Sequence, residues 1–264
     1  MEDREKSIAH LIEKNAVDFF MNLGRLNQDE VYDKPEIKCI LTPKWESRIF
    51  MANFDEKEAS KLFHRIISKS NQLNISPLWY VSPFSRPFNL KKLLNDHYFY
   101  YLKDWKAMAI DLDVFTENFD IPENLEIKVV SNISELKNWV NVLVKGFKLA
   151  ENKIESYKNY FTNLGVEQPL NFQFYLGIYN EKPVGSLILF EGSDAAGVYY
   201  VSTLHEARRK GVAAAMITKI LYDAKNKGYR ICVLHASEEG YPLYKKIGFK
   251  ECYTTKIFKM DRNL

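Results

Sequence analysis

The sequence predicts a mixed α/β protein, a mixed sheet with helices on its faces, in two unequal parts. Three observations predict it. Segments of strand period alternate with segments of helix period along the whole chain. Hydrophobic residues make up 46% of 264, enough to bury a sizeable core and to exclude disorder as the main state. Glycine is unevenly spread: of 11 glycines only Gly24 precedes position 146. Glycine serves where a backbone turns sharply or approaches something closely, so a ligand-handling part is expected in the C-terminal half.

The first half reads as a smaller α/β domain over 1–125. Ile8, Leu11, Ile12, Phe19, Phe20 and Leu23 give residues 5–23 a helical stripe, with Gly24 as a stop. Residues 36–42 and 47–54 read as strands around the turn Thr42-Pro43-Lys44. Asp55 can cap a helix over 56–72, which carries Ala59, Leu62, Phe63, Ile66 and Ile67 on one stripe. A short strand over 78–82 ends at Pro83; a helix over 88–96 and a long strand over 99–113 follow. Residues 114–125 are acidic, contain Pro122 and show no period, so they read as a linker.

The second domain, 126–264, opens with a strand over Ile127–Val130 and a helix capped by Ser134, followed by a helix over about 152–164. Strands Phe172–Tyr179 and Pro183–Phe190 flank the turn Asn180-Glu181-Lys182. A strand over Gly197–Leu204 and a helix over 209–227 ended by Gly228 come next. Arg230–Ala236 is a strand, about 239–247 a short helix, and Phe249–Met260 the last strand.

Charge narrows the function. Residues 1–125 hold 17 basic and 20 acidic side chains, and residues 126–264 hold 20 and 14. That balance is too mild for a nucleic-acid surface and suits an anionic small ligand. The cysteines Cys39, Cys232 and Cys252 form no CxxC pair, which fits a reducing compartment. No apolar run approaches the roughly 20 residues that span a bilayer. The acidic start Met1–Lys6 is unlike a secretory signal. A cytoplasmic protein with no membrane or nucleic-acid partner is the expectation; nothing in the sequence suggests a metal site or fixes the oligomeric state.

The segment Val201–Ala214 follows a strand and opens a long helix, with Arg208, Gly211 and Ala213 spaced R-x-x-G-x-A. Small residues let backbone N–H groups approach a bound anion, and a helix N-terminus carries roughly half a positive charge. Arg208, Arg209 and Lys210 add full charges. A phosphate or pyrophosphate site over 208–214 follows; there is no GxxxxGK[ST] and no GxGxxG after a first βαβ strand. The later segment Ser237–Phe249 carries Leu243, Tyr244, Gly248 and Phe249.

Together these two segments resemble the GNAT N-acetyltransferase superfamily over about residues 126–262. Leu243, Tyr244, Gly248 and Phe249 match its L-Y-x-x-x-G-F run, while Ser237 stands where the family has Asn and Gly240 where it has Ala. The resemblance implies a GNAT acyl-CoA N-acyltransferase fold and acetyl-CoA as co-substrate, with no metal. Val201, Ser202 and Thr203 would pair with the pantetheine arm, and backbone N–H near Thr203 would polarise the thioester. Arg208, Arg209, Lys210, Gly211, Val212, Ala213 and Ala214 would hold the pyrophosphate, and Ser237 could bond the pantetheine. Tyr244 would give a proton to the departing thiolate. The reaction would be direct attack of a small-molecule or peptide amine in a ternary complex. Glu191 is one candidate for the base that frees the amine of its proton; His205 and His235 are others. The alternative is a non-catalytic acyl-CoA-binding or sensing protein on the same fold.

The first half invites a further expectation. Residues 48–113 repeat the element order of 197–260, and Leu93 to Phe99 has the spacing of Leu243 to Phe249. That suggests a degenerate GNAT-like copy. Its first helix opens on Phe54–Ala59, with three acids and no glycine; such a surface repels a pyrophosphate. This half would then shape the acceptor cleft, together with the loop at about Gly146–Asn152, or pack as an extension of the sheet.

Overall fold

The computed structural model describes residues 2–116, 121–165 and 171–262; residues 117–120 of the expected linker lie outside them. The first half runs α1 (Glu2–Leu26), β1 (Glu30–Lys34), β2 (Ile37–Leu41), β3 (Arg48–Phe50), α2 (Ala59–Leu73), β4 (Leu78–Val81), α3 (Leu90–Asp96) and β5 (Phe99–Asp111). The second runs β6 (Leu125–Val129), α4 (Ile133–Gly146), α5 (Glu151–Thr162), β7 (Phe172–Tyr179), β8 (Lys182–Glu191) and β9 (Ala196–Thr203). It closes with α6 (Val212–Asn226), β10 (Ile231–Ala236), α7 (Tyr241–Ile247) and β11 (Lys250–Met260). The mixed α/β class is as the sequence predicts.

Local differences have local causes. α1 does not stop at Gly24 but contains it, and a Cβ there would stand 3.0 Å from Ile40 Cγ2. The glycine marks a close approach of helix to sheet, not a stop. α4 is capped by Asn132, whose side chain accepts the Glu135 N–H, two residues ahead of the expected Ser134. β3 is short, and β1 is a strand with no clean alternation to betray it.

The described strands form one sheet in the order β1-β2-β3-β4-β11-β5-β10-β9-β8-β7-β6. Strand β5 belongs to the first half yet lies between β10 and β11 of the second. It pairs antiparallel with β10 from Ile231↔Asp111 to Ala236↔Lys106, and with β11 from Lys250↔Ala109 to Met260↔Phe99. β11 in turn pairs with β4. Each half has therefore placed its last strand against the other half.

This arrangement has an internal two-fold pattern. Exchanging β1–β5 for β7–β11 in order reverses the list from β1 to β7 and leaves it otherwise unchanged. Pairing senses agree as well: β3 with β4 and β9 with β10 are parallel, and the remaining equivalent pairs are antiparallel. Backbone strain recurs at equivalent places. Met51 just after β3 (φ +49°) corresponds to Tyr200 in β9 (φ +52°), and Tyr98 (φ +67°) to Gly248 (φ +115°). The glycine-poor half thus keeps left-handed positions but fills them with other residues.

Helices α1, α4 and α5 cover one face, and α2, α3, α6 and α7 the other. Alternation along the strands divides the core accordingly: Ile188 and Phe190 pack toward α4 and α1, Leu187 and Leu189 toward α6. Buried Trp139 of α4 donates its indole N–H to Leu187 O at 3.1 Å and ties that helix to the sheet. Among the described residues no helix is long and apolar enough to cross a membrane.

Candidate active site

The site begins as an interruption of the sheet. β9 and β10 pair only at Cys232↔Ala196 and Val233↔Gly197. Beyond that point β9 holds an extra residue relative to β8, between Ser186 and Ile188, and Tyr200 takes its left-handed conformation there. A bulge of this kind bends a strand and redirects its side chains. The two strands diverge and leave a notch between Val201–Thr203 and the end of β10. Strand-edge groups left open in this way can pair with an extended ligand arm.

At the mouth of the notch stands the N-terminus of α6. Gly211 caps it at φ +79° with no side-chain cap. The N–H groups of Val212, Ala213 and Ala214 therefore have no intrahelical partner. Together with Arg208 and Arg209 they line a cleft of about 840 Å³ that also includes Val201, Ser202, Thr203, Ser237 and Tyr244. Buried Thr203 Oγ1 has no hydrogen-bond partner in this wall. Such a set of donors fits a pyrophosphate and an amide-bearing arm. Lys210 departs from the expected set: its ammonium lies 5.4 Å over the Tyr179 ring, and it does not line the cleft. Arg208 ties the walls together, donating to Thr203 O at 3.2 Å, Gly146 O at 3.3 Å and Glu239 Oε1 at 2.6 Å.

Tyr244 sits where this cleft ends. Gly240 makes room for it, since a Cβ there would lie 2.8 Å from Tyr244 Cε2. Burial pushes the Tyr244 phenol above its ordinary pKa, so it stays protonated and can donate. Ser237 Oγ accepts the Gly240 N–H at 3.2 Å and shapes the turn into α7.

A second cavity, of about 230 Å³, meets the first at Phe147, Val201, Ser237 and Tyr244. Both halves wall it, the first with Glu13, Val17 and Phe20 of α1, Arg48, Tyr80 and Ser82 around β3 and β4, and Trp105 of β5. Phe147 and Leu149, in the loop after α4, also line it. Arg48 is buried and donates to Tyr80 Oη at 3.1 Å and to Glu46 Oε2 at 2.5 Å, with its guanidinium 4.1 Å from the Phe20 ring centroid.

The candidate bases fall in different places. Glu191 is not at the site. β8 runs antiparallel to β9, so its C-terminal end lies beside Ala196, at the opposite end from Thr203. There the Glu191 carboxylate accepts from Lys227 Nζ at 2.9 Å, outside both cavities. Exposed His205 lines the cleft rim. His235 lines the inner cavity, with Nε2 3.3 Å from Thr255 Oγ1, and burial lowers its pKa to about 4.

That shift has a consequence for stability. The unfolded chain binds a proton at this histidine near pH 6.5 and the folded chain near pH 4. Between those values the unfolded state binds more protons, so stability falls as pH drops. The expected contribution is a loss of about 2–3 kcal/mol between pH 7 and pH 4.5. Urea unfolding at both pH values should show His235→Gln losing less than the native protein by that amount. Equal losses would count against the buried neutral imidazole.

The first half's own notch is shut. The chain after β4 turns back so that Arg86 N–H donates to Ala52 O at 2.7 Å, with Asn53 bridged to Arg86. The turn opening α2 is acidic, with Glu56 and Glu58, and is capped by Asp55.

The sheet therefore splays beside an uncapped, glycine-opened helix. Residues 171–251 match the family described as Acetyltransferase (GNAT) domain. That match covers less than a third of the chain. Among solved structures, a GCN5-related N-acetyltransferase from Kribbella flavida aligns over 96% of this chain and 96% of its own, at TM-score 0.70 and 15% identity. One from Sphaerobacter thermophilus aligns over 84% and 75%, at TM-score 0.63 and 13% identity. A tandem GNAT protein from the clavulanic acid biosynthesis pathway aligns over 84% and 77%, at TM-score 0.59 and 11% identity. At these identities the likeness is one of fold. No curated protein matches the chain in sequence.

Proposed function

We propose that the protein is an acetyl-CoA-dependent N-acetyltransferase that moves the acetyl group to an amine by direct attack. The observation that carries this reading is the meeting of two cavities at Tyr244 and Ser237, one with anion-binding donors and one lined by aromatic rings. Acetyl-CoA supplies an activated acyl group. The α6 N-terminus with Arg208 and Arg209 holds the anionic end, and Val201–Thr203 align the arm along the open strand edge. Tyr244 donates its proton to the sulfur that leaves. A binding protein of the sensing kind would need only the first cavity; the second, running on from Tyr244, favours transfer.

Acetyl-CoA is expected to raise the melting temperature, since ligand at about 100 times its Kd stabilises by about 2.7 kcal/mol. No shift at millimolar acetyl-CoA would overturn the reading. Tyr244→Phe keeps the ring and removes the donor. It should lower kcat by about 100-fold, the usual weight of a general acid, while the KM for acetyl-CoA changes little. An unchanged kcat would remove Tyr244 from the chemistry.

A further inference from the structure

The inner cavity has a surplus of hydrogen-bond donors. Trp45 Nε1, Trp105 Nε1 and Tyr200 Oη belong to its wall, are buried, and have no partner among the described residues. A tryptophan N–H can only donate. Burial pushes the Tyr200 phenol above its ordinary pKa, so at neutral pH it donates too. Arg48 adds to the surplus. A guanidinium has five N–H bonds; those to Tyr80 Oη, Glu46 O and Glu46 Oε2 use three and leave two over. Its ion-pair partner Glu46 has a side chain 41% exposed, against 3% for Arg48. Solvent shares the charge of that carboxylate and leaves the buried guanidinium under-compensated. The other carboxylate in the wall, Glu13, is hydrogen-bonded by Ser82.

Three of these groups gather beside the notch. Trp45 stands between β2 and β3, in a loop that Ser156 of α5 holds by donating to Lys44 O at 2.7 Å. Its ring lies 5.5 Å from that of Tyr200. The Arg48 guanidinium lies 4.1 Å from the Phe20 ring, which is 6.4 Å from the Tyr200 ring. Tyr200 is itself the left-handed residue at the bulge of β9, and its neighbour Val201 lines both cavities. Phe147 also lines both, with its ring 6.5 Å from that of Tyr200.

A ligand that answers this wall brings several lone pairs and no hydrogens at that end. A carboxylate does so; an amide or a hydroxyl would bring N–H or O–H groups that meet few free acceptors here. An ammonium at the same place would be repelled by Arg48. We propose that Arg48, Tyr200 and Trp45 hold a carboxylate of the acceptor, which is then an amino acid with a compact apolar side chain against the rings. This rests on the acetyltransferase reading above. The amine end lies toward Tyr244 and Ser237, where the two cavities join.

The test uses 3-phenylpropionate and its neutral counterpart 3-phenylpropionamide. Binding is read at pH 7 by tryptophan fluorescence, since Trp45 and Trp105 line the cavity. Native protein, Tyr200→Phe and Arg48→Gln are compared, with the acetyl-CoA thermal shift as the check on fold. Native protein should bind the carboxylate about ten-fold or more tighter than the amide, the weight of a hydrogen bond to a charged group. Tyr200→Phe should lose much of that preference and Arg48→Gln all of it, with the amide bound alike by all three. As acceptor, phenylalanine should exceed phenethylamine by about ten-fold or more in kcat/KM, and the gap should narrow in Tyr200→Phe. No preference for the carboxylate in the native protein overturns the proposal. So does a full preference in Tyr200→Phe with a normal acetyl-CoA shift, and this variant keeps the ring, so the result stands even where Arg48→Gln fails to fold. Equal kcat/KM for the two amines overturns the assignment of the acceptor. Carboxylate preference without any acetyl-CoA shift in the native protein leaves the carboxylate site standing and sinks the acetyltransferase reading instead.

Discussion

Residues 126–264 produced alone are expected to show no cooperative unfolding transition and no acetyl-CoA binding. Strand β5 comes from residues 99–111 and fills the space between β10 and β11. Without it both strands lose their backbone partners along most of their length. Met108, Ile110 and Leu112 also leave the core that β10, α6 and α7 share. Unpaired strand edges and an open apolar face favour aggregation over folding. Producing residues 1–125 alongside should restore both properties, because the missing strand need not be covalently linked. Calorimetry and thermal shift decide the matter: a sharp transition and native acetyl-CoA affinity in 126–264 alone would show that β5 is dispensable.

Gly211→Glu is the second large effect. The residue opens α6 in a left-handed conformation, at φ +79°, that side chains rarely adopt, and an added Cβ would lie 3.1 Å from Pro122 Cγ. Glutamate adds strain, bulk and a negative charge beside the free N–H groups of residues 212–214. Repulsion of the anion and loss of the space for it act together. The acetyl-CoA thermal shift should vanish, a drop in affinity of about 100-fold or more. Normal binding by this variant would place the anion site elsewhere.

Much of the second half was legible because its signals are local. The run from Arg208 to Ala214 states a helix start in sequence order, and Leu243, Tyr244, Gly248 and Phe249 lie within one short helix and its exit. Long-range geometry was not legible. Nothing in residues 99–113 says that their neighbours are residues 231–236 and 250–260, since strand order depends on which half closes on which. Glu191 misled for the same reason: it stands at a strand end, but the direction of β8 relative to β9 decides which end meets the site. The burial of Arg48 has no local signal in its strand, since it arises only when α1 crosses the sheet.

The glycine imbalance also takes on a physical form. The first half meets its left-handed needs with residues such as Met51, Asn74 and Tyr98. Gly211 has no such stand-in there, for the equivalent helix opens on acids and its notch is shut by residues 85–86. On the function proposed above, the second half would bind the activated acyl donor and the first would help to wall in the acceptor.

Free-thiol release from acetyl-CoA across a panel of small primary amines tests this division of labour most directly. The account predicts amine-dependent release, one thiol per amide formed. Saturable acetyl-CoA binding with no thiol released by any amine would contradict it and leave a sensor in place of an enzyme.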